Sequence, residues 1–265
     1  MSAVLQTETS ILLREDRDGV STLTLNRPEQ FNALSGELLD QLQATLDAIA
    51  ADTSARVVVI AARGRGFCAG HDLKEIRALG TQDRIEALFR KCSKVMTSIV
   101  SLPQPVIARV HATATAAGCQ LVAQCDLAVA ADTAKFAVSG VNFGLFCSTP
   151  SVALARNVGR KQAMEMLLTG DFIDAQTALA RGLVNRVVPP EQLDAEIRKL
   201  VDSILAKTPV AIKLGKQAFY RQLEMGLDGA YDLASETMAC NMMAEDAQEG
   251  IDAFVAKRKP AWKGR

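Results

Sequence analysis

Two stretches of the sequence combine glycine and small residues with a position where a helix is expected to begin. One is loop 63–76, RGRGFCAGHDLKEI, and the other is 111–126, HATATAAGCQLVAQCD. The first N–H groups of a helix have no acceptor within it, and the positive end of the helix dipole lies behind them. Two such turns facing each other would hold an oxyanion with main-chain donors. The same small residues would also let two elements pack closely, and composition alone leaves both interpretations open.

Other chemistries suggested by these residues lack part of their pattern. The loop glycines follow G-x-G-x-x-x-G, which is not the dinucleotide-binding spacing, and no acidic residue ends a second strand. Cys68, His71 and Asp72 are possible metal ligands, but no second cluster completes a site. His111 is the other histidine, and we interpret it as structural. No metal site is expected.

The elements that would position these stretches alternate between strands and helices up to about residue 145. Segments 19–25, 56–62, 105–110 and 126–131 are typical of strands. Residues 57–62 are a continuous apolar run, and the last three segments are typical of strands buried on both faces. Ser35 can cap a helix, and apolar residues at helical spacing predict another helix that ends before Pro103. The alternation favours βαβ units.

Helices dominate from Thr149 onward, with one short strand signal at 183–188. Thr149 is expected to cap a helix whose first residue is Pro150. Asp174 is expected to start another helix, which Gly182 ends. Three further helices are predicted over 190–207, 209–225 and 227–244, before a basic tail. We therefore expect an α/β core over residues 1–200 and a helical C-terminal region over 201–265.

Composition and charge exclude several classes of protein. The chain has 265 residues, of which 49% are hydrophobic and 23% charged, as in a globular protein. Thirty basic and thirty acidic residues balance, so neither a nucleic acid nor a membrane surface is an expected partner. No apolar run approaches the roughly 20 residues of a membrane span. The six cysteines form no CxxC pair and no signal peptide is recognised, which predicts reduced thiols and a cytoplasmic location.

Several motifs in order resemble the crotonase superfamily, the enoyl-CoA hydratase/isomerase family. The resemblance covers nearly the whole chain and rests on NRPEQFNALS, GFCAGHDLKEI, LPQPVIARVHATATAAGCQLVAQCDLAVAADTAKF, VGRKQAMEMLLTGDFIDAQTALARGLVNRVVP and FVAKRKPAW. It implies an α/β fold, a crotonase-like spiral of ββα repeats with a C-terminal helical trimerisation region. It also implies assembly as a trimer or hexamer, and an acyl-CoA or enoyl-CoA thioester as the ligand. No cofactor is implied other than the coenzyme A of the substrate.

The resemblance assigns roles to individual residues. The backbone amides of His71 and Ala117 would form the oxyanion hole that stabilises a thioester enolate. Ala69 and Lys74 would lie along the adenine and phosphate region of CoA. Near the C-terminus, Phe254 and Lys257 resemble residues that reach CoA, often from a neighbouring subunit. Alternatively, Lys257 is only a solvated charge in the tail.

Two departures from the family pattern concern acid–base chemistry. Gln120 and Gly140 stand where family hydratases carry glutamates. Glutamine can hold water but cannot accept its proton, and glycine supplies no group. The first hypothesis is an acyl-CoA thioester-processing member classed as an enoyl-CoA hydratase, a lyase of fatty acid metabolism. The alternatives are a catalytically weak acyl-CoA-binding protein, or an isomerase or hydrolase that uses His71, Cys147 or other groups, namely Asn142 and Ser148.

Overall fold

The computed structural model describes residues 10–265. Its strands are β1 (Leu12–Arg17), β2 (Val20–Leu25), β3 (Val57–Ala62), β4 (Gly66–Cys68), β5 (Val106–Val110), β6 (Thr113–Thr115), β7 (Leu127–Ala131), β8 (Lys135–Ala137), β9 (Ile173–Asp174) and β10 (Arg186–Val188). Its α-helices are α1 (Gly36–Ala51), α2 (Leu73–Leu79), α3 (Gln82–Ser101), α4 (Ala117–Gln124), α5 (Ser148–Asn157), α6 (Arg160–Thr169), α7 (Ala175–Ala180), α8 (Leu193–Leu205), α9 (Pro209–Gln222), α10 (Leu227–Met242) and α11 (Glu245–Val255).

The larger sheet has six strands in the order β1-β2-β3-β5-β7-β10. Only β1 and β2 are antiparallel; the other neighbours are parallel. Parallel neighbours require crossover connections, and the helices between these strands supply them. On one face of this sheet, apolar residues of α1 and α3 pack in the larger hydrophobic core. On the other face, α8 packs against residues of β3, β5 and β7. Burial on both faces explains the continuous apolar run of β3.

The smaller sheet has four short strands in the order β4-β6-β8-β9. Strands β4, β6 and β8 run parallel, and β9 pairs antiparallel with β8. The chain leaves β4 toward α2 and leaves β6 directly into α4. Because the carboxyl ends of parallel strands lie at one edge, this sheet brings the two glycine-containing turns together.

Helix boundaries agree with most of the sequence predictions. Ser35 Oγ accepts a hydrogen bond from the Leu38 N–H and caps α1. Asp174 caps α7, and Gly182 follows that helix with a φ of +81°. The prediction of a cap at Thr149 is wrong, because α5 already begins at Ser148.

The C-terminal helices α9, α10 and α11 follow α8, which runs across residue 200. Lys216 anchors α9 to the core through Asp126, with 2.7 Å between Nζ and Oδ2. The tail folds back, since the indole N–H of Trp262 donates to Ala206 O over 2.8 Å. Within residues 10–265, no helix is long and apolar enough to cross a membrane.

Candidate active site

The first turn of α4 leaves the main-chain N–H of Ala117 without an acceptor inside the helix. Ala116 precedes the helix with φ 50° and ψ −120°. Its N–H donates to Ala137 O, and its carbonyl accepts from the Gln120 N–H, the first backbone bond of the helix. Ala117 lies in the first turn, where the helix itself offers its N–H no acceptor. This amide therefore has the positive end of the helix dipole behind it.

The loop between β4 and α2 orients the amide of His71. Leu34 forms a bridge with this residue: the Leu34 N–H donates to Gly70 O over 2.8 Å, and the Asp72 N–H donates to Leu34 O over 3.4 Å. In a parallel bridge the central residue directs its own N–H and carbonyl away from the partner. The His71 N–H consequently points away from Leu34.

Two glycines allow this loop and α4 to touch. A Cβ at Gly70, whose φ is +94°, would lie 2.8 Å from Ala116 Cβ and 3.2 Å from Ala117 N. A Cβ at Gly118 would lie 2.1 Å from the carbonyl oxygen of Cys68. No side chain fits at that distance. The close approach that the small residues suggested is therefore present, and it is between β4 with its following loop and the first turn of α4.

The NRPEQFNALS segment, residues 26–35, holds the 63–72 loop in place through hydrogen bonds. Asn32 is fully buried, and its amide group donates to Arg63 O over 2.8 Å and to Gly66 O over 2.9 Å. Arg27 donates to Ala33 O and reaches the Asp72 carboxylate at 3.3 Å. These bonds fix both ends of the loop that carries Gly70, a role the sequence pattern alone did not reveal.

Gly140 lies close to the same strand edge but leaves no room for a side chain. β8 pairs with β6, and Thr115 Oγ1 lies 2.9 Å from Ser139 Oγ. The Gly140 N–H donates to Cys147 Sγ over 3.2 Å. A Cβ at residue 140 would lie 2.6 Å from Leu145 O and 2.7 Å from Cys147 Sγ. A glutamate at this position would therefore require the 145–147 segment to move.

Gln120 is buried in α4, with 4% of its surface exposed. Its Oε1 accepts no hydrogen bond from any residue of 10–265. The His71 imidazole is also unpartnered within this range at both ring nitrogens, and it meets the Phe89 ring edge-on at 5.1 Å. Burial, which disfavours the charged ring, lowers the pKa of His71 against the raising effect of the Leu34 backbone.

The residues predicted to contact CoA fall into two places. Ala69 and Lys74 are exposed on the loop and the first turn of α2, beside the glycine-containing contact. Phe254 and Lys257 are exposed at the end of α11 and just beyond it. An open cleft of about 880 Å³ beside α9 and α10 contains none of these four residues. In the described range, no three His, Cys, Asp or Glu side chains could together hold a metal ion.

The comparisons with known proteins agree with this architecture. The family model for enoyl-CoA hydratase/isomerase matches residues 15–265. A Xenopus laevis relative, enoyl-CoA hydratase domain-containing protein 3, mitochondrial, is 47% identical over 254 residues, which cover 96% of this chain and 86% of the relative. A crystal structure of enoyl-CoA hydratase from Mycobacterium smegmatis has a TM-score of 0.94 at 57% identity and covers 96% of this chain and 99% of its own. That of human enoyl Coenzyme A hydratase domain-containing protein 3 has a TM-score of 0.93 at 46% identity, with 96% and 100% covered.

These matches confirm the predicted fold class, an α/β crotonase fold. The chain belongs to the enoyl-CoA hydratase/isomerase family. Acyl-CoA thioesters are the substrates of that family.

The cytoplasmic location predicted from the sequence is wrong by this comparison. The relatives from Xenopus laevis, Mus musculus and Homo sapiens, 46–48% identical, are all named as mitochondrial proteins. All six cysteines are free thiols. Free thiols fit any compartment that keeps cysteines reduced, so cysteine usage could not distinguish one such compartment from another.

Proposed function

We propose that this chain binds acyl-CoA or enoyl-CoA thioesters and polarises the thioester carbonyl with the backbone N–H groups of His71 and Ala117. The observation that carries the proposal is the close packing of Gly70 against Ala116 and Ala117. A Cβ atom added at Gly70 would lie only 3.2 Å from the Ala117 backbone nitrogen. Two main-chain donors in neighbouring turns suit an oxyanion, because they need no reorganisation when negative charge develops. The dipole of α4 adds to the stabilisation.

The CoA moiety would extend along Ala69 and Lys74, with Phe254 and Lys257 reaching it from the same or a neighbouring subunit. Support comes from the exposure of Lys74 beside the Gly70 loop and from its lack of an ion-pair partner among residues 10–265. An unpaired ammonium can attract phosphate as a point charge. No cofactor beyond the CoA of the substrate is required by this scheme.

Hydration by this site would be slow. Gln120 cannot take a proton from water, and Gly140 has neither a side chain nor space for one. A positioned acid or base contributes about 10²–10⁴-fold to a proton transfer. The site therefore favours enolate-like states of a bound thioester while lacking the groups for rapid addition of water.

A hydrolase that uses Cys147 is less well supported. Burial raises the pKa of the Cys147 thiol, against the lowering effect of the Gly140 N–H, so little thiolate forms at neutral pH. Two other candidates are already engaged, since Asn142 Nδ2 lies 3.5 Å from Gly170 O and Ser148 Oγ lies 3.4 Å from Phe146 O. Thioester binding with weak turnover is the function that these contacts favour.

Calorimetry with butyryl-CoA tests the proposal. Saturable binding is expected, and Lys74→Glu should weaken it about tenfold, because an exposed charge pair contributes up to about 1 kcal/mol and reversal adds repulsion. Lys161→Glu, an exposed lysine on α6, is the charge-matched control and should leave the affinity unchanged. In the same preparation, hydration of crotonyl-CoA should be barely above background. No binding to acyl-CoA of several chain lengths, or vigorous hydration, would contradict the proposal.

We also propose that the chain self-associates as a trimer or hexamer through its C-terminal helices. Large apolar side chains are exposed there, with Met243 at 82% and Phe254 at 85%; the others include Leu227, Tyr231, Met238 and Val255. An apolar surface of this kind marks an interaction site. Light scattering should give three or six times the 28.4 kDa chain mass. A monomer at micromolar concentration would rule the assembly out.

A further inference from the structure

The open cleft of about 880 Å³ lies between the core and the first turns of α9. Small-molecule sites in proteins typically have volumes of about 300–1,000 Å³. The end of α1, the 52–56 turn and the 103–104 segment line the cleft on the core side; α9, the end of α10 and the C-terminal tail line it on the other. The lining includes none of His71, Ala117, Gln120 and Gly140. The cleft is therefore a candidate ligand site separate from the proposed thioester site.

The walls of the cleft are largely apolar. Val210 and Leu214 are one turn apart on α9, so they lie on the same face of that helix. Ile204, near the end of α8, and Pro103, before β5, also line the cleft. All four residues are half-buried, so part of their apolar surface is still in contact with solvent. A ligand that covers this surface removes it from water, which favours binding roughly in proportion to the area covered.

Two cationic side chains at the cleft are available to an anion. The Arg56 guanidinium uses Nη2 to donate to Lys207 O over 2.7 Å, and it has further N–H donors. Lys213 lines the cleft from α9, is exposed, and has no hydrogen-bond or ion-pair partner among residues 10–265. The ammonium of Lys263 is less available, since it lies 3.1 Å from the Glu245 carboxylate.

The carboxylates close to these cations are bound by other groups. Asp52 lies 3.2 Å from the Arg14 guanidinium. Asp246 accepts hydrogen bonds from the backbone N–H groups of Lys263 and Gly264, over 2.6 and 2.9 Å. The cleft therefore combines apolar walls with cationic groups, and its charge is complementary to an anionic ligand.

We propose that this cleft binds a medium-chain fatty carboxylate. The carboxylate lies at Arg56 and Lys213, and the hydrocarbon chain covers Val210, Leu214 and Ile204. A guanidinium can donate two parallel hydrogen bonds to one carboxylate, which fixes the head group. The chain needs no polar partner, whereas a nucleotide base would bring polar groups against walls that do not pair with them. The inference is independent of the proposed thioester function.

Trp262 provides a direct readout, because it lines the cleft and is the single tryptophan of the sequence. Titration with decanoate should change its fluorescence saturably. 1-Decanol has the same chain without the charge and should bind at least tenfold more weakly, because the charge-assisted hydrogen bonds are lost. Hexanoate should also bind at least tenfold more weakly, since each buried methylene contributes about fourfold to the affinity. Equal affinity for decanoate and 1-decanol would overturn the head-group assignment.

Substitutions of the two cations test the head-group contacts separately from the fold. Arg56→Gln should weaken decanoate binding about tenfold, and Lys213→Gln about threefold, because an exposed charge contributes less. Both should leave 1-decanol binding unchanged. Lys161→Gln, an exposed lysine of α6 outside the cleft, is the matched control and should behave as the wild type. Equal weakening of both ligands by Arg56→Gln, with no effect of Lys213→Gln, would overturn the proposal.

Butyryl-CoA distinguishes this cleft from the proposed thioester site. Saturating butyryl-CoA should leave the decanoate titration unchanged, and displacement of decanoate would overturn the proposal. Absence of any fluorescence response to decanoate would overturn it as well. A change in Trp262 emission on dilution of the protein would then indicate that a second copy of the chain covers the cleft. Failure of butyryl-CoA to bind in calorimetry removes the proposed function and leaves this inference standing.

Discussion

Gly118→Ala is expected to destabilise the fold by about 3 kcal/mol and to abolish acyl-CoA binding. The added methyl would lie 2.1 Å from the Cys68 carbonyl oxygen and 2.8 Å from Cys68 Cβ. Overpacking of a filled site costs about 1–3 kcal/mol, and the upper end applies here because a backbone atom, fixed by the β4–β6 pairing, must move. Separating β4 from α4 would also pull the His71 loop away from Ala117. The free energy of unfolding from chemical denaturation and calorimetry with butyryl-CoA measure the two effects.

Gly215→Ala provides the control for this prediction. Gly215 lies within α9, and a Cβ there meets no atom within 4 Å. In a helix interior, glycine is less stable than alanine by about 0.5–1 kcal/mol in folding free energy. The Gly215→Ala variant should therefore be slightly more stable than the wild type. If Gly118→Ala matched Gly215→Ala in stability and still bound butyryl-CoA, the close contact between β4 and α4 would be irrelevant to both.

The long periodic elements were predictable from sequence, and the short ones were not. β3, β5 and α3 carry continuous or periodic apolar residues, and their existence follows from those patterns. β4, β6 and β8 have three residues each and are rich in small side chains, so no period is visible. These three strands nevertheless position the candidate site. Their pairing depends on contacts between segments about 20 to 45 residues apart, which local propensity does not encode.

The composition of the candidate site was visible in the sequence, but its packing was not. The motifs indicated His71 and Ala117 as oxyanion donors and marked Gln120 and Gly140 as departures. The space next to Gly140 is filled by Leu145 O and Cys147 Sγ. This packing depends on the fold of the 139–147 segment, for which the sequence shows no signal. The orphaned Oε1 of Gln120 likewise follows from burial of the whole of α4.

Lys216→Met is expected to destabilise the protein by about 3–5 kcal/mol. Lys216 and Asp126 have 6% and 15% of their side-chain surface exposed. The ammonium donates to Asp126 Oδ2 over 2.7 Å and to the carbonyls of Ile99 and Gln104 over 2.9 Å each. Removing one partner of a buried pair leaves an uncompensated charge, which is far more costly than the net value of the pair. Here two carbonyl oxygens would lose their donor as well.

Lys216→Met should lower the midpoint of chemical denaturation. Substituting an exposed lysine of the same helix should not. Lys213→Met removes a lysine from the same helix, but that side chain is exposed and should change the free energy of unfolding by less than about 0.5 kcal/mol. Adding Asp126→Asn to Lys216→Met should recover part of the loss, because the buried negative charge is then absent; residues in direct contact are not additive. Equal stability of the Lys216→Met and Lys213→Met variants would show that the ion pair does not hold α9 to the core.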